Sequence, residues 1–280
     1  MCKVGLSHSD HITEPKTVAC AQRLLHDDAA EAMSDSVTTT SDGGSSIMTH
    51  ESFDEDVCSS KAAVCDSSES RFTVKHETLL IFDYDDTLFP TSFLASRGYR
   101  LDGPDASADI QRLLDEYADV VETSLLQARE LGHVVILTNA ETGWIELTSQ
   151  KFMPRLSELL ESFPLVSARS TYEPLGISSP FQWKLRAFES VINEHYDRVR
   201  SFSCRNVLSF GDSIHERDAA HQVCANLPQS VCKSIKFMER PDVAQLTKQH
   251  SLIRDCFEQI VHHQGTLDLC IQCQQPGEEP

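Results

Sequence analysis

Apolar residues along this chain fall into two alternating patterns. Short unbroken runs read as strands covered on both faces: "TLLIFDY" from Thr78, "HVVILTN" from His133, "RNVLSFGD" from Arg205 and "SVCKSIKFM" from Ser230, with "PLVSAR" from Pro164 as a weaker fifth. Between them lie longer stretches with apolar residues at helical spacing. "SADIQRLLDEYADVVETSLLQARELG" closes on Gly132, and "TGWIELTSQKFMPRLSELLESF" carries Pro154 as an expected kink or boundary. Further helices are predicted in "SSPFQWKLRAFESVINEHYDRVRSF", "SIHERDAAHQVCANL" and "RPDVAQLTKQHSLIRDCFEQIVHH".

Five strands alternating with five helical stretches predict an α/β fold: a central, mainly parallel five-stranded sheet with helices on both faces. The folded unit is expected over residues 71–265. A flexible C-terminal tail is expected over 266–280, including the "CIQC" at Cys270 and Cys273, where one C-x-x-C without a second pair argues against zinc. Residues 1–70 are rich in Ser, Thr and acids and poor in large apolar side chains, so they are expected to be disordered. This stretch reads either as a solvated tail or as a regulatory segment that docks a protein partner and takes phosphate on its hydroxyls.

Composition narrows the function classes. The 280-residue chain carries a formal net charge of −19. Such a charge repels polyanions, which excludes non-specific binding to nucleic acid or to an anionic membrane surface. No apolar run reaches the ~20 residues that span a bilayer, and "MCKVGLSHSDHITEPK" lacks the apolar core of a secretory signal. The ten cysteines are scattered rather than arranged as a framework. An intracellular setting, cytoplasmic or nuclear, is therefore expected.

The polar residues with chemical potential sit where the predicted strands end. Asp83 and Asp85 follow the first strand, Thr138 and Asn139 the second, and Gly211 and Asp212 the fourth. Open parallel sheets bind their ligands beyond these carboxyl ends. Asp83 and Asp85, two apart, point to one side while the backbone stays extended, and their repulsion calls for a cation between them or a shared proton. A hard divalent ion such as Mg²⁺ suits oxygen ligands and keeps waters that a phosphate can replace. Thr138 offers a hydroxyl and a backbone N–H, and Lys184, near a helix start, offers a point charge for a phosphate, with Arg186 as the competing cation.

In this order these residues resemble the haloacid dehalogenase-like (HAD) superfamily of phosphohydrolases. The four motifs are matched by "DYDDT" (Asp83 to Thr87), by "VVILTN" ending in Thr138 and Asn139, by Lys184 in "PFQWK", and by "SFGDSIHERD" around Gly211 and Asp212. The match runs from about residue 75 to 240, most of the expected folded unit. It implies a three-layer Rossmann-like sandwich and a Mg²⁺-dependent phosphatase acting through an aspartyl-phosphate. Asp83 is the implied nucleophile and Asp85 the implied acid and base. Asp83, the backbone carbonyl of Asp85, and Asp212 are the implied metal ligands. Thr138, Asn139 and Lys184 are the implied phosphate-binding residues.

The family's fourth motif carries a second acid four or five residues after its aspartate. Here Glu216 stands at four and Asp218 at six, so Glu216 is favoured as an indirect metal partner, Asp218 is the alternative, and Ser213 is expected to assist. The spans open to a cap domain are short, which implies a capless enzyme with an open site. The resemblance implies as substrate either a phosphoprotein or a small phosphoester. The competing reading is a catalytically weak or inactive phosphate-binding module whose acidic tail recruits partners. Asp86 and Thr87 are read as turn residues, and Trp144 and Trp183 as packing residues that can border the pocket.

Overall fold

The computed structural model describes residues 2–6, 75–199 and 204–273. Strands β1 (Cys2–Leu6), β2 (Thr78–Asp83), β3 (His133–Thr138), β4 (Leu165–Ser167), β5 (Arg205–Gly211), β6 (Ser230–Lys236) and β7 (Leu267–Cys273) form one sheet in the order β1-β7-β6-β5-β2-β3-β4. From β7 to β4 all six strands are parallel, and β1 adds to the β7 edge antiparallel. The helices are α1 (Thr91–Ser96), α2 (Ala108–Leu131), α3 (Trp144–Phe152), α4 (Pro154–Glu161), α5 (Ala168–Tyr172), α6 (Pro180–Arg198), α7 (Ile214–Ala225) and α8 (Val243–His262). None of the helices among the described residues is long and apolar enough to cross a membrane.

The alternating side chains of β2 explain the three layers. Leu80 and Phe82 pack into a core with α2, α3, α4 and α8, while Leu79 and Ile81 pack into a second core with α6 and α7. Every residue of β2 is buried, as expected of the central strand of a parallel sheet. Pro154 is indeed a boundary: it opens α4 directly after α3 ends at Phe152. Gly132, which ends α2, is demanded by close approach, because a Cβ there would lie 2.4 Å from Leu80 Cδ1 and 2.5 Å from the Thr78 carbonyl.

Two boundaries differ from the sequence expectation. Leu267–Cys273 forms a sixth parallel strand rather than a flexible tail, so Cys270 belongs to the sheet. The signal was present as period-two alternation: Ile271 and Leu269 face one core, while Asp268 points to the opposite face, toward α7, and accepts from Arg217 Nε at 2.9 Å. At the other end, Cys2–Leu6 pairs with this strand, which removes those residues from the expected disordered segment. The rest of that segment, residue 1 and residues 7–70, lies outside the described residues, as does 274–280 of the expected C-terminal tail.

The chain leaves β2 for β3 and β4 on one side, then crosses to β5, β6 and β7 on the other. Strand order therefore reverses between β2 and β5, and the crevice beyond their carboxyl ends is the natural ligand site of such a sheet. The loop after β2 is pinned from two helices. The Thr87 carbonyl accepts from Tyr117 Oη at 3.0 Å and from His250 Nε2 at 2.9 Å.

This anchoring carries a pH liability. Burial pushes His250 down to about 4 from its ordinary 6.5. Between those values the unfolded chain binds the proton and the folded chain does not, so stability falls as pH drops through that window. Wild type is expected to lose about 3 kcal/mol more than His250→Gln between pH 7 and pH 4 in urea denaturation. Equal losses in the two proteins would remove His250 as the cause.

Candidate active site

Four motif residues converge on the β2–β5 crevice. Asp83 is the last residue of β2, and Asp212 follows β5 directly. Lys184 reaches in from the second turn of α6, and Glu216 from the first turn of α7. The Lys184 ammonium sits between two carboxylates, 2.5 Å from Asp83 Oδ1 and 2.8 Å from Glu216 Oε1. All three side chains are buried, with only 1% of the Lys184 side chain exposed.

Local sequence explains how Glu216 is aimed. Ser213 caps α7, its hydroxyl accepting from His215 N at 3.0 Å, and Glu216 completes the capping box by accepting from Ser213 N at 3.1 Å through Oε2. One carboxylate oxygen thus takes the cap and the other takes Lys184. The Glu216 side chain lies directly over Gly211, where a Cβ would come 2.6 Å from Glu216 Cγ and 2.8 Å from its Cβ. Gly211→Ala is therefore expected to displace Glu216 and to lower stability by about 1–3 kcal/mol. Thermal melting with and without a divalent cation would read both effects; an unchanged melting curve and an unchanged metal response would exclude this role for Gly211.

One ammonium does not balance the acids around it. Burial, followed by Glu216 and Asp86, pushes Asp212 up to about 7. Burial also raises the Asp83 carboxyl well above its ordinary range against the pull of Lys184, with Glu216, Asp85 and Asp212 adding to the rise. Burial opposes the charge of Lys184, but Asp83 and Glu216 outweigh it and hold the amine above its ordinary value. Burial likewise opposes ionisation of Glu216, yet Lys184 and hydrogen bonding from the Ser213 side chain hold it below the usual carboxylate range. The site therefore holds more carboxyls than one ammonium can keep ionised, a crowding that an added cation would relieve.

Asp83, Asp212 and Glu216 each offer an oxygen within 4.8 Å of the others, so this buried group could hold a metal ion. The donor set is all carboxylate oxygen, which suits a hard divalent ion rather than a thiophilic one.

Asp85 and Thr138 form a second group beside the first. Asp85 Oδ2 accepts from Thr138 Oγ1 at 2.8 Å, and Asp85 Oδ1 accepts from Thr91 Oγ1 at 2.6 Å and from Trp144 Nε1 at 2.9 Å. Thr138 Oγ1 in turn accepts from Ala140 N at 2.9 Å. The turn between the groups is tight, with Tyr84 O accepting from Leu88 N and Phe89 N, each at 2.9 Å. Asp86 sits in the left-handed region at φ 53° and caps α1 by accepting from Ser92 N at 2.8 Å.

The remaining expected residues have plainer places. Asn139 donates through Nδ2 to the Pro180 carbonyl at 3.2 Å, tying the end of β3 to the start of the helix that carries Lys184. Asp218 is half exposed and pairs with Arg217 at 2.9 Å, away from the acidic group that Glu216 joins. The sequence reading missed Thr91 and the indole N–H of Trp144 as partners of Asp85. Nothing in their spacing reveals either; Trp144 lies next to the second motif, but its direction is set by how α3 packs. Comparison of this chain with protein-family models, with curated proteins and with solved structures returned no match.

Proposed function

We propose that this protein is a Mg²⁺-dependent phosphohydrolase of the HAD-like type that hydrolyses a phosphate monoester through an aspartyl-phosphate on Asp83. The observation that carries the reading is the buried Lys184 held between Asp83 and Glu216, with Asp212 and Asp85 beside them at the reversal of strand order. A structural salt bridge needs one acid for one base. This arrangement gathers more carboxylates than one ammonium can neutralise, at the place where such sheets bind ligands.

Lys184 occupies Asp83 Oδ1, which leaves the other carboxylate oxygen to attack phosphorus. As the new O–P bond forms, the ester P–O bond breaks and its electron pair goes to the leaving oxygen. Asp85 supplies the proton that oxygen takes up. In the second step Asp85 accepts a proton from water, the water oxygen attacks phosphorus, and the acyl O–P bond breaks to restore the Asp83 carboxylate and release inorganic phosphate. Thr138 turns its hydroxyl from Asp85 to a phosphoryl oxygen, and Lys184 offsets the developing charge. Asp83 and Asp212 would hold Mg²⁺, which would add positive charge at the phosphoryl oxygens.

The test is phosphate release from a panel of small phosphoesters with Mg²⁺ and with chelator. Turnover is expected to fall by about 10²-fold or more when the metal is removed. Turnover that ignores the chelator, or folded protein that turns over nothing across the panel, would defeat the reading; the latter favours a phosphate-binding module.

A further inference from the structure

A cavity of about 300 Å³ lies on the far side of Asp85, between α1, the loop 97–102 and α3. Its walls are mainly apolar and aromatic: Phe89, Leu94, Leu101, Trp144 and Phe152. Two of its lining residues, Thr91 and Trp144, reach from opposite elements to the same oxygen, Asp85 Oδ1. The cavity is thus separated from the proposed acid by one layer of side chains that already bond to it.

The wall on the loop side is held in place. Lys151, from the last turn of α3, donates to the carbonyls of Arg100 at 3.0 Å, Leu101 at 2.9 Å and Gly103 at 2.6 Å. Three hydrogen bonds from one ammonium clamp the loop onto the helix, so the cavity is a built feature. The cation among its lining residues, Arg100, is exposed and already paired with Asp102 at 3.2 Å. A leaving group bearing its own negative charge would meet mainly apolar walls, with this exposed, paired guanidinium as the cation among the lining residues. A neutral flat ring finds aromatic walls and room, since an apolar cavity of about half this volume accepts benzene.

We propose that this cavity receives the leaving group of the substrate, and that the substrate is an aryl phosphate monoester. The inference rests on the phosphohydrolase reading of Asp83 and Asp85. Protonation from Asp85 Oδ1 requires the ester oxygen to take the place that the Thr91 hydroxyl and the Trp144 N–H now hold on that oxygen, and the group it carries then enters the space these two residues line. The phenolic group can belong to a tyrosine in a peptide or to a free small molecule, and both present the same ring and oxygen.

The experiment uses the full chain with Mg²⁺ and compares kcat/KM for phenyl phosphate, a phosphotyrosine peptide and glycerol 2-phosphate. The comparison is repeated in Ala95→Trp, which fills the cavity from an exposed position on α1. The ratio of phenyl to glycerol phosphate is expected to fall about tenfold or more in the variant. A ratio within twofold of wild type overturns the cavity while leaving the phosphohydrolase reading intact. A phosphotyrosine peptide that exceeds phenyl phosphate assigns the ring to protein, and the reverse order assigns it to a small molecule. Leu101→Trp fills the same space from the loop and replaces Ala95→Trp should circular dichroism show that variant unfolded.

Should no ester be hydrolysed, the phosphohydrolase reading falls and the cavity is judged by binding alone. Saturable quenching of tryptophan fluorescence by p-cresol, lost in Trp144→Phe and weakened in Ala95→Trp, supports an aryl site. No saturable change overturns it.

Discussion

Asp83→Asn is expected to lower phosphoester turnover by about 10³-fold or more while leaving the protein folded. The amide has the shape of the carboxyl but cannot displace an ester oxygen. It also costs the site little in folding. Asp83 is buried among acids and its carboxyl is raised well above its ordinary range, so a neutral side chain removes repulsion while it loses the charge on its bond to Lys184. Melting should therefore move by only a few degrees, on the order of 1 kcal/mol. Labelling with phosphate-labelled substrate followed by an acid quench should give a hydroxylamine-sensitive acyl phosphate in wild type and none in the variant. Turnover above a tenth of wild type in the variant would remove Asp83 as nucleophile.

The second large effect is on stability. Lys184→Met is expected to destabilise the fold by about 3–5 kcal/mol, because it leaves Asp83 and Glu216 buried without their cation. The size follows from burial: the lysine side chain is 1% exposed, so water cannot replace the lost charge. Mg²⁺ should stabilise the variant more than wild type, since in the variant an added ion would replace the charge that Lys184 gives Asp83 and Glu216. Lowering the pH toward 5 should also recover stability, because the carboxyls gain protons that the crowded folded site favours. Urea denaturation at two pH values, with and without Mg²⁺, reads all three effects. A loss below about 1 kcal/mol would mean that the triad is not the tight charged cluster its distances describe.

Much of the scaffold was legible because strand and helix periods are local. The five predicted strands, from Thr78, His133, Pro164, Arg205 and Ser230, lie where the structure has β2 to β6, and Pro154 separates two helices as a residue without an N–H should. Strand β7 was missed because "TLDLC" sits in a polar stretch and its alternation is short; its burial comes from the neighbour β6, far along the chain. The helix Thr91–Ser96 was missed for a related reason, being too short to show a period and capped by Asp86 rather than by its own preceding residue.

The candidate site divides along the same line. Sequence alone placed Asp83, Asp85, Thr138, Lys184 and Asp212 at strand or helix ends, because element ends follow from local pattern and end positions face one edge of a parallel sheet. Spacing favoured Glu216 over Asp218 without settling which of them faces the site, since both fall within the first helical turns and a helix rotates each residue by about 100°. Only the packed structure decided it: α7 rests on Gly211, its cap holds Glu216 inward against Lys184, and Asp218 is carried round to solvent. The aromatic cavity beside Asp85 belongs wholly to the tertiary level. Its walls come from segments about fifty residues apart, and the space between them exists only once α1 and α3 have packed against each other.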